Sequence, residues 1–487
     1  MVGVFKRKNK KLTSEEKEPN IIPTLAAIRE EFRDCADLVE NDITHLSLQY
    51  TYIENLVKEA KVQELLVEPF DKGKPDDVIK ILSETRYQEV ADNETLCQGV
   101  LDGKAAIFYK EKAYLVNVFG PEARSIAESQ TESVIIGPHD SFVESAGNNL
   151  SLIRRRIKSS SLKTLKFRVG NVCNTDVYIV YIEGIANPEF VSLTKKRILA
   201  IGRDGIIDSA MLVQMIDDQP YSVFPQFLTT ERPDSTASKL LEGKIVIMAD
   251  GSPSVIIAPT SFFEFFNTSE DYYQRWAVAT FLRILRYTAF FITIFFTAFY
   301  VAVTTFHYEM IPRPLLMTLL KSRMRVPFPP LYEALLMEVT VELLREAGAR
   351  LPTKIGQTIG IVGGIVIGES AVQAGLTSNI LIISTAISAI ASFVIPSYMM
   401  SQSIRLVRFG IILLAGIWGN FGIMIGLGFV LIHLASLTSL KTSYMTPITP
   451  MAFGDLKDIL IRAPFSKLRT RPSQSRTDHS IRRKNGE

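Results

Sequence analysis

The sequence is poor in the residues that enzymes and metal proteins are built on. Its 487 residues include five histidines and three cysteines. It has no Gly-rich phosphate loop, no His-Glu-x-x-His and no Cys/His pairing at metal-ligand spacing. The chain therefore reads as a non-enzyme with no catalytic residues, no metal and no cofactor. Gly202-Arg203-Asp204-Gly205 reads as a turn rather than a phosphate cradle, and His139-Asp140 as a loop without a nucleophile nearby. Cys35, Cys97 and Cys173 are odd in number, widely spaced and free of any CxxC pair, which predicts reduced thiols rather than disulfides. Lys and Arg total 54 against 51 Asp and Glu, a net charge of only +3, so nothing points to nucleic acid. The first 18 residues carry Lys6, Arg7, Lys8, Lys10 and Lys11 but no apolar core. They do not read as a signal peptide, and the soluble region is expected in the cytoplasm.

What the chain does have is segregation. Mean hydropathy is +0.16 although 22% of residues are charged, because charge and apolar sequence occupy different parts. The first 286 residues look like soluble protein. Residues 1–22 are a polar, disordered tail. From there the chain alternates. A helical period runs through Leu25, Ile28, Phe32, Cys35 and Leu38, and a strand through Leu46-Ser47-Leu48-Gln49-Tyr50. A second strand covers Val177 to Ile182, and a helix Pro188 to Leu199. This predicts an α/β or α+β soluble N-terminal region, with subdomains at 23–160 and 161–270. Leu101-Asp102-Gly103-Lys104 echoes Leu241-Glu242-Gly243-Lys244, and Ser133 to Pro138 echoes Ser254 to Pro259. Either the two subdomains are related by duplication, or similar hairpins have chosen similar residues. Arg154, Arg155 and Arg156 form a basic cluster that reads equally as a surface for anionic lipid or an acidic partner and as a solvated helix face.

Residues 271–286, with Tyr272, Tyr273, Trp276, Arg275, Arg283 and Arg286, suit an interfacial segment at headgroup level. Tyr287 to Phe306 is uncharged for 20 residues, about 30 Å of helix and one hydrocarbon thickness. It opens an α-helical multi-span membrane domain over 287–440. Residues 307–354 are punctuated by proline. There, Leu331 to Ala349 is amphipathic, with Glu338, Glu342, Arg345 and Glu346 on one face. So many charges argue against a lipid-exposed span and for an interfacial helix or one buried in an oligomer. Ile355 to Ile404 fits two spans turning near Gly375. Phe409 to His433 fits another, broken near Gly419. The basic tail, 441–487, marks the cytoplasmic side, so an even number of crossings is required and four are expected.

One predicted span carries two stripes. Gly356, Gly360, Gly364 and Gly368 recur every four residues and form a close-packing side. Val362, Val366, Glu369 and Gln373 lie opposite. Around a symmetric axis the second stripe would line a pore, with valines as an apolar gate and Glu369 as a cation-favouring ring. The alternative is a tightly packed bundle helix with Glu369 bonded to a neighbour.

The order of motifs resembles the A subunits of the GerA-type spore germinant receptors. It is carried by Gly137-Pro138, Phe142 and Glu144, by Val326-Pro327-Phe328-Pro329 with Glu333, and by Glu338 with Glu342. Arg345-Glu346-Ala347-Gly348, Ile355-Gly356-Gln357 and Gly360-Ile361-Val362-Gly363-Gly364 through Gly375 complete it. The resemblance covers about residues 40 to 455. It implies a protein of the spore inner membrane that works with a transporter-like, nutrient-binding B subunit and a lipoprotein C subunit. It further implies a homo-oligomeric ring in membrane lipid, forming a nutrient-gated ion channel. A non-conducting scaffold that relays the germinant signal is the competing expectation. Glu369 departs from the uncharged residue expected there, so a carboxylate ring would not be a family feature.

Overall fold

A computed structural model of the chain describes residues 23–71, 75–120, 129, 132, 134–351, 363–364 and 366–482. The expected tail at 1–22 lies outside them. The chain divides into two compact units, Met1–Ser125 with Leu150–Leu165, and Ile126–Asn149 with Lys166–Glu487.

The first unit holds five strands: β1 (Leu38–Ile43), β2 (Leu48–Ile53), β3 (Tyr87–Val90), β4 (Lys104–Tyr109) and β5 (Lys112–Asn117). They form an antiparallel sheet in the order β1-β2-β4-β5-β3. Strand side chains alternate between faces, and both faces are covered. Ile107 and Val116 pack with Leu66 and Phe70, while Ala106 and Leu115 pack with Ile28, Leu96 and Val100. The first helix is shorter than its periodicity predicts, ending at Glu31. Asp34 takes a left-handed φ of 62° and Cys35 bridges to Thr164, so the chain turns into β1 instead of continuing the helix.

The second sheet comprises β6 (Leu162–Val169), β7 (Thr175–Ile182), β8 (Leu228–Thr230), β9 (Ile245–Ala249) and β10 (Val255–Ala258). Its order, β6-β7-β9-β10-β8, repeats that of the first sheet strand for strand. The echoed sequences fall at matching places. Helix Asn93–Leu101 ends at Gly103, φ 82°, which turns the chain into β4. Helix Pro233–Leu241 ends at Gly243, φ 89°, which turns it into β9. Glycine tolerates this left-handed step after a helix end. The other echo has no structural counterpart: residues 134–138 form no strand, whereas Val255–Ala258 is β10.

The rest of the second unit is a helical bundle whose path follows from its contacts. Leu331 packs on Gly416, Glu338 pairs with Arg408 and Glu342 with Arg405, so helix Pro330–Arg350 runs antiparallel to the first arm of helix Tyr398–Ser436. Thr293 meets Ser388 and Tyr300 meets Ser378, so Trp276–Thr305 runs antiparallel to Asn379–Phe393. Gly363 lies against Leu344 and Gly375 against Arg325, which directs the helical residues 366–373 away from the second sheet.

Tyr398–Ser436 is folded on itself. Gly419 has φ 59° and ψ −139°. A Cβ on Gly422 would collide with the Leu414 carbonyl, and one on Gly426 with Ile411. In a straight helix residues 414 and 422 would be about 12 Å apart. Ser403 and His433 both return to the loop at Ser222 and Val223. Among the described residues six helical passes run along the bundle, against the four crossings expected. The two additional ones are the charged helix Pro330–Arg350 and the second arm of the Gly419 hairpin. The even parity places the tail back beside the second sheet, where Tyr444 packs on Phe262 and its hydroxyl donates to the Pro225 carbonyl at 2.5 Å. Among the described residues, Trp276–Thr305 and Tyr398–Ser436 are long and apolar enough to cross a membrane, and Asn379–Phe393 is a shorter apolar helix.

Candidate functional site

The bundle is built the opposite way from the sheets. Helix Trp276–Thr305 buries Ala289, Thr293, Thr297, Ala298 and Ala302 and exposes Phe281, Phe291, Phe296 and Phe299. Small residues let helix backbones approach, and large apolar side chains turned outward fit a hydrocarbon surround.

Helix Pro330–Arg350 carries this furthest. Glu338, Glu342 and Arg345 share one side of the helix by their spacing of four and three residues. That side faces inward. Glu338 and Arg408 are fully buried and paired at 2.6 Å. Thr297 donates to Glu338 at 2.9 Å, and Arg408 donates to Ser388 at 3.1 Å. Glu333 pairs with Arg323 at 3.0 Å and accepts from the Ser378 amide at 3.2 Å. Glu342 pairs with Arg405. Arg345 donates to Ser392 at 2.9 Å and stacks 4.5 Å over the Phe393 ring. The opposite side, Tyr332, Leu336, Val339 and Leu343, is exposed, Leu343 to 66%. Of the charges that argued against a lipid-exposed helix, Glu338, Glu342 and Arg345 are therefore satisfied inside the chain's own bundle, Glu346 is exposed and pairs with Arg350, and the apolar side is free to face lipid. A signal for this was present: Arg405 and Arg408, three residues apart, match Glu342 and Glu338 on an antiparallel neighbour. Periodicity read one helix at a time does not pair them.

The two-striped helix is described in part. Val362, Gly356 and Gly360 lie outside the described residues. Gly368 is in ordinary contact with Ile382 and Ala371 is buried, whereas a Cβ on Gly364 would meet open space. On the other side Val366 is 55% exposed, and Glu369 and Gln373 are exposed, the Gln373 amide donating to Glu369 at 3.1 Å. Among the described residues no cation pairs with Glu369, unlike the three paired carboxylates of the neighbouring helix. The structure thus keeps Val366, Glu369 and Gln373 together on one open face.

The basic cluster is divided. Arg154 is buried and bidentate to Asp37, at 2.5 and 2.7 Å, which removes it from any docking surface; its chain neighbour Arg155 is exposed and Arg156 partly so. Successive residues on a helix point about 100° apart, so one of these three arginines can face the core while its neighbours face outward.

A cavity of 470 Å³ lies where the second sheet approaches the bundle, lined by Glu132, Thr230, Arg232, Phe265, Ile395 and Tyr398 among others. Among the described residues no group of His, Cys, Asp and Glu is arranged to hold a metal ion.

Comparison with known proteins adds a family context. The family model described as Bacillus/Clostridium GerA spore germination protein matches residues 26–474. Spore germination protein GerQA of Bacillus cereus is 46% identical over 80% of this chain and 79% of its own length. Spore germination protein KA of Bacillus subtilis (strain 168) is 38% identical over 95% of this chain and 88% of its own. The crystal structure of the N-terminal domain of the A subunit of the Bacillus megaterium spore germinant receptor GerK3 aligns with 49% of this chain and 94% of that one, at 28% identity and a TM-score of 0.38.

Proposed function

Because the chain belongs to the GerA family of spore germination proteins, we propose that it is the membrane A subunit of a nutrient receptor and that several copies surround a cation pathway. The observation that carries this reading is the open face of residues 366–373. Where the neighbouring helix ion-pairs Glu333, Glu338 and Glu342, Glu369 has among the described residues the Gln373 amide of its own helix and no cation. A carboxylate at membrane depth faces protein or water, not lipid. Copies arranged with this face toward a common axis would give Glu369 that setting. Val366, with Val362 one turn earlier, would supply an apolar constriction that closes by dewetting.

The inside-out bundle supports the membrane location, which we place in the spore inner membrane with the sheets and the tail on the cytoplasmic side. A transporter-like B subunit binding the nutrient and a lipoprotein C subunit are the expected partners. The gate would open when they stabilise a conformation that widens the valine ring.

The test is conductance. The full chain with its partner subunits in liposomes is expected to release potassium on addition of nutrient. Val366→Ala is expected to leak without nutrient, and Glu369→Gln to lower cation preference. Cysteines at positions 362 and 366 should react with aqueous thiol reagents in the stimulated state. If both stay unreactive in resting and stimulated states and no flux appears, the conduit is wrong. The scaffold reading then stands, in which nutrient binding is relayed through the sheet-to-bundle contacts at Ser222, Val223 and Asp218.

A further inference from the structure

Helix Trp276–Thr305 is 30 residues long, about 45 Å, against a hydrocarbon core of about 30 Å. Its uncharged run begins at Tyr287, so the first ten or so residues lie on the sheet side of the core. The two arginines within these turns do not reach outward, although Arg275 at the helix entry is exposed. Arg283 is buried and pairs with Asp271 at 2.9 Å and with Asp458 at 3.5 Å, and Arg286 pairs with the same Asp271 at 2.9 Å. What remains outside within the turns is apolar: Trp276, Phe281 and Ile284 are exposed.

A segment from the far end of the chain lies against these turns. Thr280 donates to the Arg462 carbonyl and the Tyr287 hydroxyl to the Ile459 carbonyl, each at 3.4 Å. The Arg462 guanidinium is held between the rings of Phe465, at 4.0 Å, and Tyr272, at 5.7 Å. This pins Ile461 and Phe465 to the helix entry with their side chains exposed, 51% and 63%. The acidic group of the segment, Asp458, is turned inward to Arg283 and Tyr272, at 3.1 Å from the latter. The exposed charges flanking it, Lys457, Lys467 and Arg469, are all basic.

We propose that residues 456–469 form an interfacial foot that binds anionic lipid, with Ile461 and Phe465 inserted at headgroup depth and the flanking cations on lipid phosphates. The inference rests on the membrane reading above. It is carried by continuity: the foot prolongs the bundle's exposed apolar surface at the height where the helix leaves the hydrocarbon. Apolar anchors combined with basic residues are what a negatively charged leaflet attracts. The foot also joins lipid to the sheet region, because the same tail continues to Arg471, which donates to the Leu241 carbonyl at 2.9 Å.

The experiment uses the full chain with Cys35, Cys97 and Cys173 replaced by serine. A polarity-sensitive fluorophore is placed at Ile461→Cys, with Tyr221→Cys as the aqueous reference and Phe299→Cys as the lipid reference. Proteins are reconstituted in nanodiscs of phosphatidylcholine, with or without phosphatidylglycerol, and quenched with iodide. The expected result is several-fold weaker quenching at Ile461 than at Tyr221, weaker still with phosphatidylglycerol. Loss of that second gain is expected in the Lys467→Glu/Arg469→Glu variant. Quenching at Ile461 equal to Tyr221 while Phe299 stays protected overturns the foot alone. Quenching at Phe299 as well overturns the membrane reading itself. Protection indifferent to phosphatidylglycerol, or unaltered by the charge reversals, overturns the anionic-lipid assignment. Phe465→Cys repeats the measurement where the first label perturbs folding, checked by matching elution profiles.

Discussion

The first sheet and the helical bundle solve the same problem with opposite materials. In the sheet, large apolar residues such as Leu48, Phe70, Ile107 and Leu66 are inside, and charge is mostly outside. In the bundle, alanines, serines, threonines and ion pairs share the inside with residues such as Ile411 and Leu381, while many phenylalanines and leucines, such as Phe291, Phe299 and Leu343, are outside. Each region nonetheless buries an arginine against a carboxylate, Arg154 with Asp37 and Arg408 with Glu338. A buried charge is tolerated in either surround when it is paired and hydrogen-bonded; what differs is the solvent that the outer surface must match.

The comparison is tested hardest by breaking those pairs. Arg408→Leu leaves Glu338 uncompensated and is expected to cost about 3–5 kcal/mol, and Arg154→Leu a similar amount by exposing Asp37 to the same penalty. The double variant Arg408→Leu/Glu338→Leu should recover most of the loss, because removing both charges also removes their desolvation. Thermal unfolding of the detergent-solubilised protein measures this. A double variant no better than the single would mean that the pair is not what holds these helices.

A smaller effect sharpens the architecture of the bundle. Gly422→Leu drives a side chain into the Leu414 carbonyl across the Gly419 hairpin and should cost about 1–3 kcal/mol by overpacking. Gly428, where a Cβ would meet nothing within 4 Å, should accept leucine almost without loss. Equal tolerance at both positions would favour a straight helix and sink the hairpin.

The gentlest test is a slope. Beside the bundle, burial pushes the Asp217 carboxyl up to about 7; the adjacent Asp218 charge adds to this and Arg197 opposes it. The folded state then holds a proton that the unfolded chain has lost. Asp217 therefore favours folding fully below the ordinary carboxyl value of 3.8 and loses that contribution as pH rises toward about 7. Asp217→Asn should flatten the pH dependence of the melting temperature over that window. An unchanged slope would show that Asp217 ionises freely.

Much of the fold was legible residue by residue. The helix expected at Pro188 to Leu199 is found at those bounds, and the strand at Val177 to Ile182 is most of β7. The uncharged run from Tyr287 lies in one long helix. The open face was legible in part: helical spacing alone placed Val366, Glu369 and Gln373 on one side. The fate of the charges was not. Glu338, Glu342 and Arg345 gave a correct amphipathic face but not its partners, since periodicity shows which residues share a side and not what that side touches. Arg283 and Arg286 looked suited to headgroups until Asp271 was found beside them.

By itself the sequence determined the order of strands and helices, the change from soluble to apolar composition near Tyr287 and the two stripes of the 363–373 helix. These depend on local period and local hydropathy, which neighbours in the chain set. Tertiary structure alone decided the number of passes, the shared strand order of the two sheets and the pairing of each buried charge. Each of these joins residues tens or hundreds of positions apart. An arginine has the same side chain whether it meets a phosphate or a glutamate, and only the fold determines which of the two is within reach.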